Sequence, residues 1–117
     1  MNKIMEKVRY VKHINCDNGK IEFLLVNFDY IDGSDVIAKL FCRKYGMKAD
    51  PKLEGIYFSI IKLHGDSKEY ELLWHEDLGN SISSINQDER SNSQLEKELS
   101  VIIDELNILL EKSETKD

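Results

Sequence analysis

Trp74-His75-Glu76-Asp77 sets an indole, an imidazole and two carboxylates on consecutive residues, just ahead of Leu78-Gly79-Asn80. Two chemistries use such a set, metal coordination and proton transfer; the third reading is that the residues only end a strand. A metal site needs its ligands within a few ångströms of one another. The spacing of the other histidines argues against that. His64 falls at the turn end of one expected strand and His75 at the far end of the next. Seven strand residues at ~3.3 Å each put them roughly 23 Å apart along the sheet. His13 and Cys16 give an H-x-x-C spacing beside a turn, but no second pair completes a site. No metal is expected.

Acid-base catalysis needs an imidazole or carboxyl group with a shifted pKa in a cleft. Consecutive strand residues point to opposite faces, so His75 and Glu76 meet only if the strand stops at His75. Asp77-Leu78-Gly79-Asn80 has the composition of a turn. Tyr70, Leu72 and Trp74 therefore read as core positions, and His75-Glu76-Asp77 as the polar exit of their strand. Nucleophilic and phosphate chemistry find no support, since the chain has no G-x-S-x-G elbow, G-x-x-x-x-G-K loop or G-x-G-x-x-G turn. No cofactor is expected. The alternative to a binding role is a small-molecule-binding domain or enzyme with a pocket near Trp74, His75 and Glu76.

Charge points elsewhere. The 117 residues carry a net charge of -6, which disfavours a nucleic-acid partner because phosphate binders present a basic face. The acids are unevenly spread. Glu69, Glu71, Glu76 and Asp77 stand against Lys68 alone, and Asp88 and Glu89 follow in a polar stretch. The N-terminal arm is locally basic, with Lys3, Lys7, Arg9 and Lys12 against Glu6. An acidic surface of this kind steers and selects basic partners. The expected partner-binding set is therefore Glu69, Glu71, His75, Glu76, Asp77, Asp88 and Glu89. In size and charge the chain is similar in type to bacterial proteins that work by occupying a partner, such as the immunity proteins that neutralise a toxin's active site. That likeness implies an inhibitor role and rests on no residue motif.

The elements that must position these residues form one domain, residues 1–112, with 113–117 as a fraying tail. No apolar run approaches the ~20 residues that span a bilayer, and MNKIMEKVRYVKH has no continuous apolar core of a signal peptide, so a cytoplasmic location is the default. Cys16 near a turn and Cys42 in a helix lack any disulfide or metal spacing, and both read as buried or half-buried free thiols.

Residues 6–15 alternate and pair with the apolar run 21–30 through the turn residues Cys16 to Lys20. A three-residue loop, Asp17 to Gly19, would set Tyr10 opposite Val26, and a two-residue loop would set it opposite Asn27. The first packs better. Ser34 is placed to cap a short helix that ends at Gly46.

A second hairpin joins IYFSIIKLH to KEYELLWH. If His64 pairs with Lys68, Phe58 faces Trp74, and Glu69 and Glu71 lie on the sheet face opposite Trp74. Residues 79–92 are the least structured by composition, with Ile82 and Ile85 tacking down a short edge strand or a single turn. Ser93-Gln94-Leu95-Glu96 has the form of a capping box. Leu95, Leu99, Ile102, Leu106 and Leu109 then make a helical stripe, with a homodimer surface at Leu106, Leu109 and Leu110 as one use for its width. The expected fold is α+β in the order ββαββα, an antiparallel sheet of about four strands with two helices on one face.

Overall fold

The computed structural model describes residues 6–114, and it is α+β with two helices on an antiparallel sheet. The strands are β1 (Arg9–Ile14), β2 (Ile21–Val26), β3 (Lys48–Ala49), β4 (Leu53–Glu54), β5 (Phe58–Gly65), β6 (Lys68–His75) and β7 (Gly79–Ser84). Helix α1 (Gly33–Tyr45) follows β2, and α2 (Glu89–Glu114) follows β7. The sheet has seven strands rather than about four, in the order β1-β2-β7-β6-β5-β3 with β4 also on β5. The chain order is ββαβββββα, not ββαββα.

The largest correction is β7. Gly79-Asn80-Ser81-Ile82-Ser83-Ser84 carries one large apolar side chain, yet it is the strand that joins the two hairpins, paired with β2 on one side and β6 on the other. Its hydrogen-bonded neighbours satisfy the backbone, and Asn80, Ile82 and Ser84 on its helix-facing side are all buried. The Gln87 side chain then extends the ladder, pairing through both amide atoms with the backbone of Ile21. Polar composition here marks close packing rather than a loop.

Both hairpin registers differ from expectation by one residue, and a one-residue slip exchanges faces. The first loop holds four residues, Cys16 to Gly19, because Asn15 and Asn18 each accept a backbone N–H two residues on and Gly19 takes a φ of 72°. Tyr10 therefore pairs with Leu25 and packs edge-on against Phe23 at 5.7 Å. In the second hairpin Ser67 takes a φ of 58°, which closes a two-residue loop and pairs Gly65 with Lys68. Phe58 then faces His75, and Trp74 faces Ser59.

One sheet face carries Phe23, Leu25, Ile82, Tyr70, Leu72, Ile61 and Leu63, all buried. Helix α1 adds Ile37, Leu40 and Phe41 to it, and α2 adds Leu95, Leu99, Ile102, Ile103 and Leu106. Burying each such side chain contributes roughly 1.5–3 kcal/mol. Gly46 ends α1 in the left-handed region at φ 66°, as the sequence indicates. Ser34 does not cap that helix. It is buried and donates to Asn80 Oδ1.

Helix α2 starts at Glu89, not Ser93, because Asp88 caps it by accepting the Ser91 N–H at 2.8 Å. Ser93-Gln94-Leu95-Glu96 lies inside the helix, and Glu96 accepts the Tyr10 hydroxyl instead. The helix continues to Glu114, past the expected start of the tail at 113. Of the three residues expected at a dimer surface, Leu106 is 1% exposed and belongs to the core, whereas Leu109 is 43% exposed and Leu110 half-buried. Cys42 is half-buried and Cys16 exposed, against the expectation for the latter, and both are free thiols. No helix among the described residues is long and apolar enough to cross a membrane.

Candidate functional site

Both helices lie on one side of the sheet, and the opposite side is open. Alternation places Val11, Leu24, Ser81, Leu73, Ile60 and Leu53 in one continuous cross-strand row on this open side. The row is partly exposed, reaching 63% at Leu53. Glu69, Glu71 and His75 stand on the same face, opposite Trp74.

The acids of that face are largely matched from within the chain. Glu71 lies 4.0 Å from Lys20, and Glu22 lies 3.5 Å from His13. Glu69 and Asp50 hold the two ring nitrogens of His64, each at 2.8 Å. The hydrogen bond to Asp50 is the largest influence on His64, and together with Glu69 it raises the imidazole above its ordinary pKa of 6.5. Stabilisation from this triad is then complete below 6.5 and fades as pH rises through the folded value. Histidine NMR titration should place His64 above 6.5, and Asp50→Asn and Glu69→Gln should each bring it down. A wild-type value at or below 6.5 would show that the triad does not hold the proton.

Glu76 and Asp77 belong to a different place. Val26 ends β2, and Asn27 turns the chain at φ 67° while its side chain donates to Lys7 O. Asn107 of α2 pins Val8 by bonding both its N–H and its carbonyl, which holds Glu6 beside this turn. Gly79 opens β7 at φ 76°, where a Cβ would lie 2.9 Å from that of Asp29. These local geometries leave a groove of about 630 Å³ between the end of β2 and the β6–β7 turn. Leu24, Val26 and Leu78 give it apolar surface, and Glu6, Asp29, Glu76 and Asp77 give it four carboxylates. None of the four has a cation within ion-pair distance among the described residues.

The expected partner-binding residues thus fall into three groups. Glu69, Glu71 and His75 lie on the open face, and Glu76 and Asp77 line the groove. Asp88 and Glu89 stand beyond the other end of β7, whose six residues at ~3.3 Å each set them roughly 20 Å from the groove. Asp88 is occupied as a cap, and its bonds from Ser91 hold the carboxyl below the usual range. Sequence reasoning missed Glu6 and Asp29, which reach the groove only through the pairing of β2 with β7.

Trp74 and His75 point to opposite faces, as consecutive residues of β6 must. The indole N–H donates to Asp29 O at 3.2 Å, and His75 Nδ1 accepts the Asp77 N–H. Neither ring lines the groove that Glu76 lines. Among the described residues no group of three or more His, Cys, Asp or Glu is placed to hold a metal ion. The chain matches no known protein family, no curated protein and no solved structure.

Proposed function

We propose that this is a protein-binding domain that docks a basic protein partner, in the manner of an inhibitor or immunity-type protein. The observation that carries the reading is the groove at Glu6, Asp29, Glu76 and Asp77, where four carboxylates without a cation partner among the described residues line apolar surface. Four carboxylates around one groove make its local field negative, and an approaching Lys or Arg is attracted by that field while its stem covers Leu24, Val26 and Leu78. The adjoining open sheet face supplies the flat apolar area that a stable interface needs around such an anchor. Glu69, Glu71, Asp88 and Glu89 then act through the general field of the protein.

The test begins by capturing a partner from the native host and measuring its association rate. Glu76→Lys with Asp77→Lys should slow association about tenfold at low salt, and the difference should shrink as salt screens the field. Asp88→Lys with Glu89→Lys, on the far side of β7, should slow it far less. Equal rates for all three proteins with no salt dependence would reduce the groove to a solvated surface.

A further inference from the structure

A second recess lies on the helix-bearing side, where α1 meets the short edge strand β3, and the docking reading makes no use of it. Its volume is about 560 Å³. Ile61 of β5 forms the floor, and Ala38, Cys42 and Ala49 form the walls. The recess exists because the wall residues are small. Ala38 and Cys42 are one turn apart on α1, and Ala49 sits opposite Leu63 at the margin of the sheet. Because β3 is only two residues long, no further strand closes that side.

The lip is cationic on a chain of net charge -6. Lys39 and Arg43 are one helical turn apart, both are exposed, and neither has a carboxylate within ion-pair distance among the described residues. Asp35 also lines the recess, but its carboxylate is neutralised by Lys52 at 2.7 Å. The local field inside is therefore positive over an apolar floor. The volume falls within the roughly 300–1,000 Å³ range of small-ligand sites.

We propose that this recess binds a small amphipathic organic anion. Its carboxylate, sulfonate or phosphate head would take charge-assisted hydrogen bonds from Lys39 and Arg43. Its apolar body would lie between Cys42 and Ala49, over the nearly buried Ile61, so that the ligand's own apolar surface leaves water.

The probe for the test is 8-anilinonaphthalene-1-sulfonate, titrated by fluorescence into the full chain. N-phenyl-1-naphthylamine, with the same rings and no sulfonate, serves as the comparator. Lys39→Gln with Arg43→Gln should weaken sulfonate binding about tenfold or more, as expected for lost charge-assisted bonds, and should leave the comparator unaffected. Ala49→Phe should fill the recess and remove binding of both. In wild-type protein, amide shifts on titration should cluster at Ala38, Cys42 and Ala49, a readout that needs no variant to fold. Shifts that cluster instead on Leu24, Leu73 and Ile60 of the open face would overturn the proposal. So would sulfonate binding that is unchanged in the Gln variant, or no binding at all.

Discussion

Asn80→Ala is expected to remove about 3–5 kcal/mol of stability, a large share of the roughly 5–15 kcal/mol typical of a single domain. Asn80 is fully buried in the central strand. Its amide donates to Phe28 O at 3.0 Å and to Tyr30 O at 2.9 Å, and its Oδ1 accepts the Ser34 hydroxyl at 2.8 Å. One side chain therefore fastens the β2–α1 connection and the first turn of α1 to β7. Alanine would leave the Ser34 hydroxyl and the Phe28 carbonyl buried without partners, at about 1–3 kcal/mol each, and would open a cavity beside them. The wild-type contact is tight on both sides, since a Cβ at Gly33 would lie 2.5 Å from Asn80 Nδ2 and 2.8 Å from the Phe28 ring.

Ser34→Ala breaks only one of these bonds and should cost about 1 kcal/mol. Asn80→Asp keeps the volume but turns a carboxylate toward two carbonyls, so it should be at least as damaging as alanine. Urea unfolding followed by Trp74 fluorescence and by circular dichroism measures all three. Trp74 is the single tryptophan and pairs with Asn80 across the sheet. An Asn80→Ala loss within 1 kcal/mol of wild type would mean that water replaces the amide.

The same residue explains why part of the fold was hard to read. Amphipathic periodicity identified α2, and Gly46 marked where α1 ends, because these signals are local. Alternation likewise identified both hairpins and put Glu69 and Glu71 opposite Trp74. The stretch Gly79 to Ser84 failed the hydrophobic test because its backbone is satisfied on both edges and its polar side chains find specific partners. Such partners, Phe28 and Tyr30 for Asn80, lie some fifty residues away.

Register was lost for a different reason. Loop lengths turned on the backbone bonds of Asn15 and Asn18 and on the φ of Ser67, worth little energy each but decisive for which face every later residue meets. The candidate groove inherits both difficulties. Glu76 and Asp77 were visible as a pair, whereas Glu6 and Asp29 join them only once β7 is known to lie beside β2.

Glu98→Ala is the second large effect, expected at about 3 kcal/mol. Glu98 projects from α2 toward the sheet, where Oε2 lies 2.6 Å from Lys68 Nζ and Oε1 accepts the Tyr70 hydroxyl at 2.7 Å. The two charged side chains are only 13% and 12% exposed, so this pair is far from an ordinary surface salt bridge. The Lys68 ammonium also stands 4.9 Å from the Tyr45 ring centroid, which adds a cation–π contact from α1. One carboxylate thus connects α2 to β6 and, through Lys68, to α1. Burial and the Glu98 bond raise the Tyr70 hydroxyl far above its ordinary pKa, so it remains a donor at any working pH.

Removing Glu98 alone leaves a nearly buried ammonium and a buried hydroxyl unpaired, and breaking such a pair from one side costs about 3–5 kcal/mol. The lower end applies here because the pair keeps some contact with water. Glu98→Gln retains a hydrogen bond to Tyr70 but not the charge, and should lose about half as much. The decisive comparison is Lys68→Met with Glu98→Leu, which removes both ions and restores apolar contact. If desolvation of an orphaned charge dominates, this double variant unfolds at higher urea than Glu98→Ala, despite carrying one more substitution. If the double variant is instead the less stable of the two, the attraction between Lys68 and Glu98 exceeds the cost of burying them, and the pair is a net source of stability.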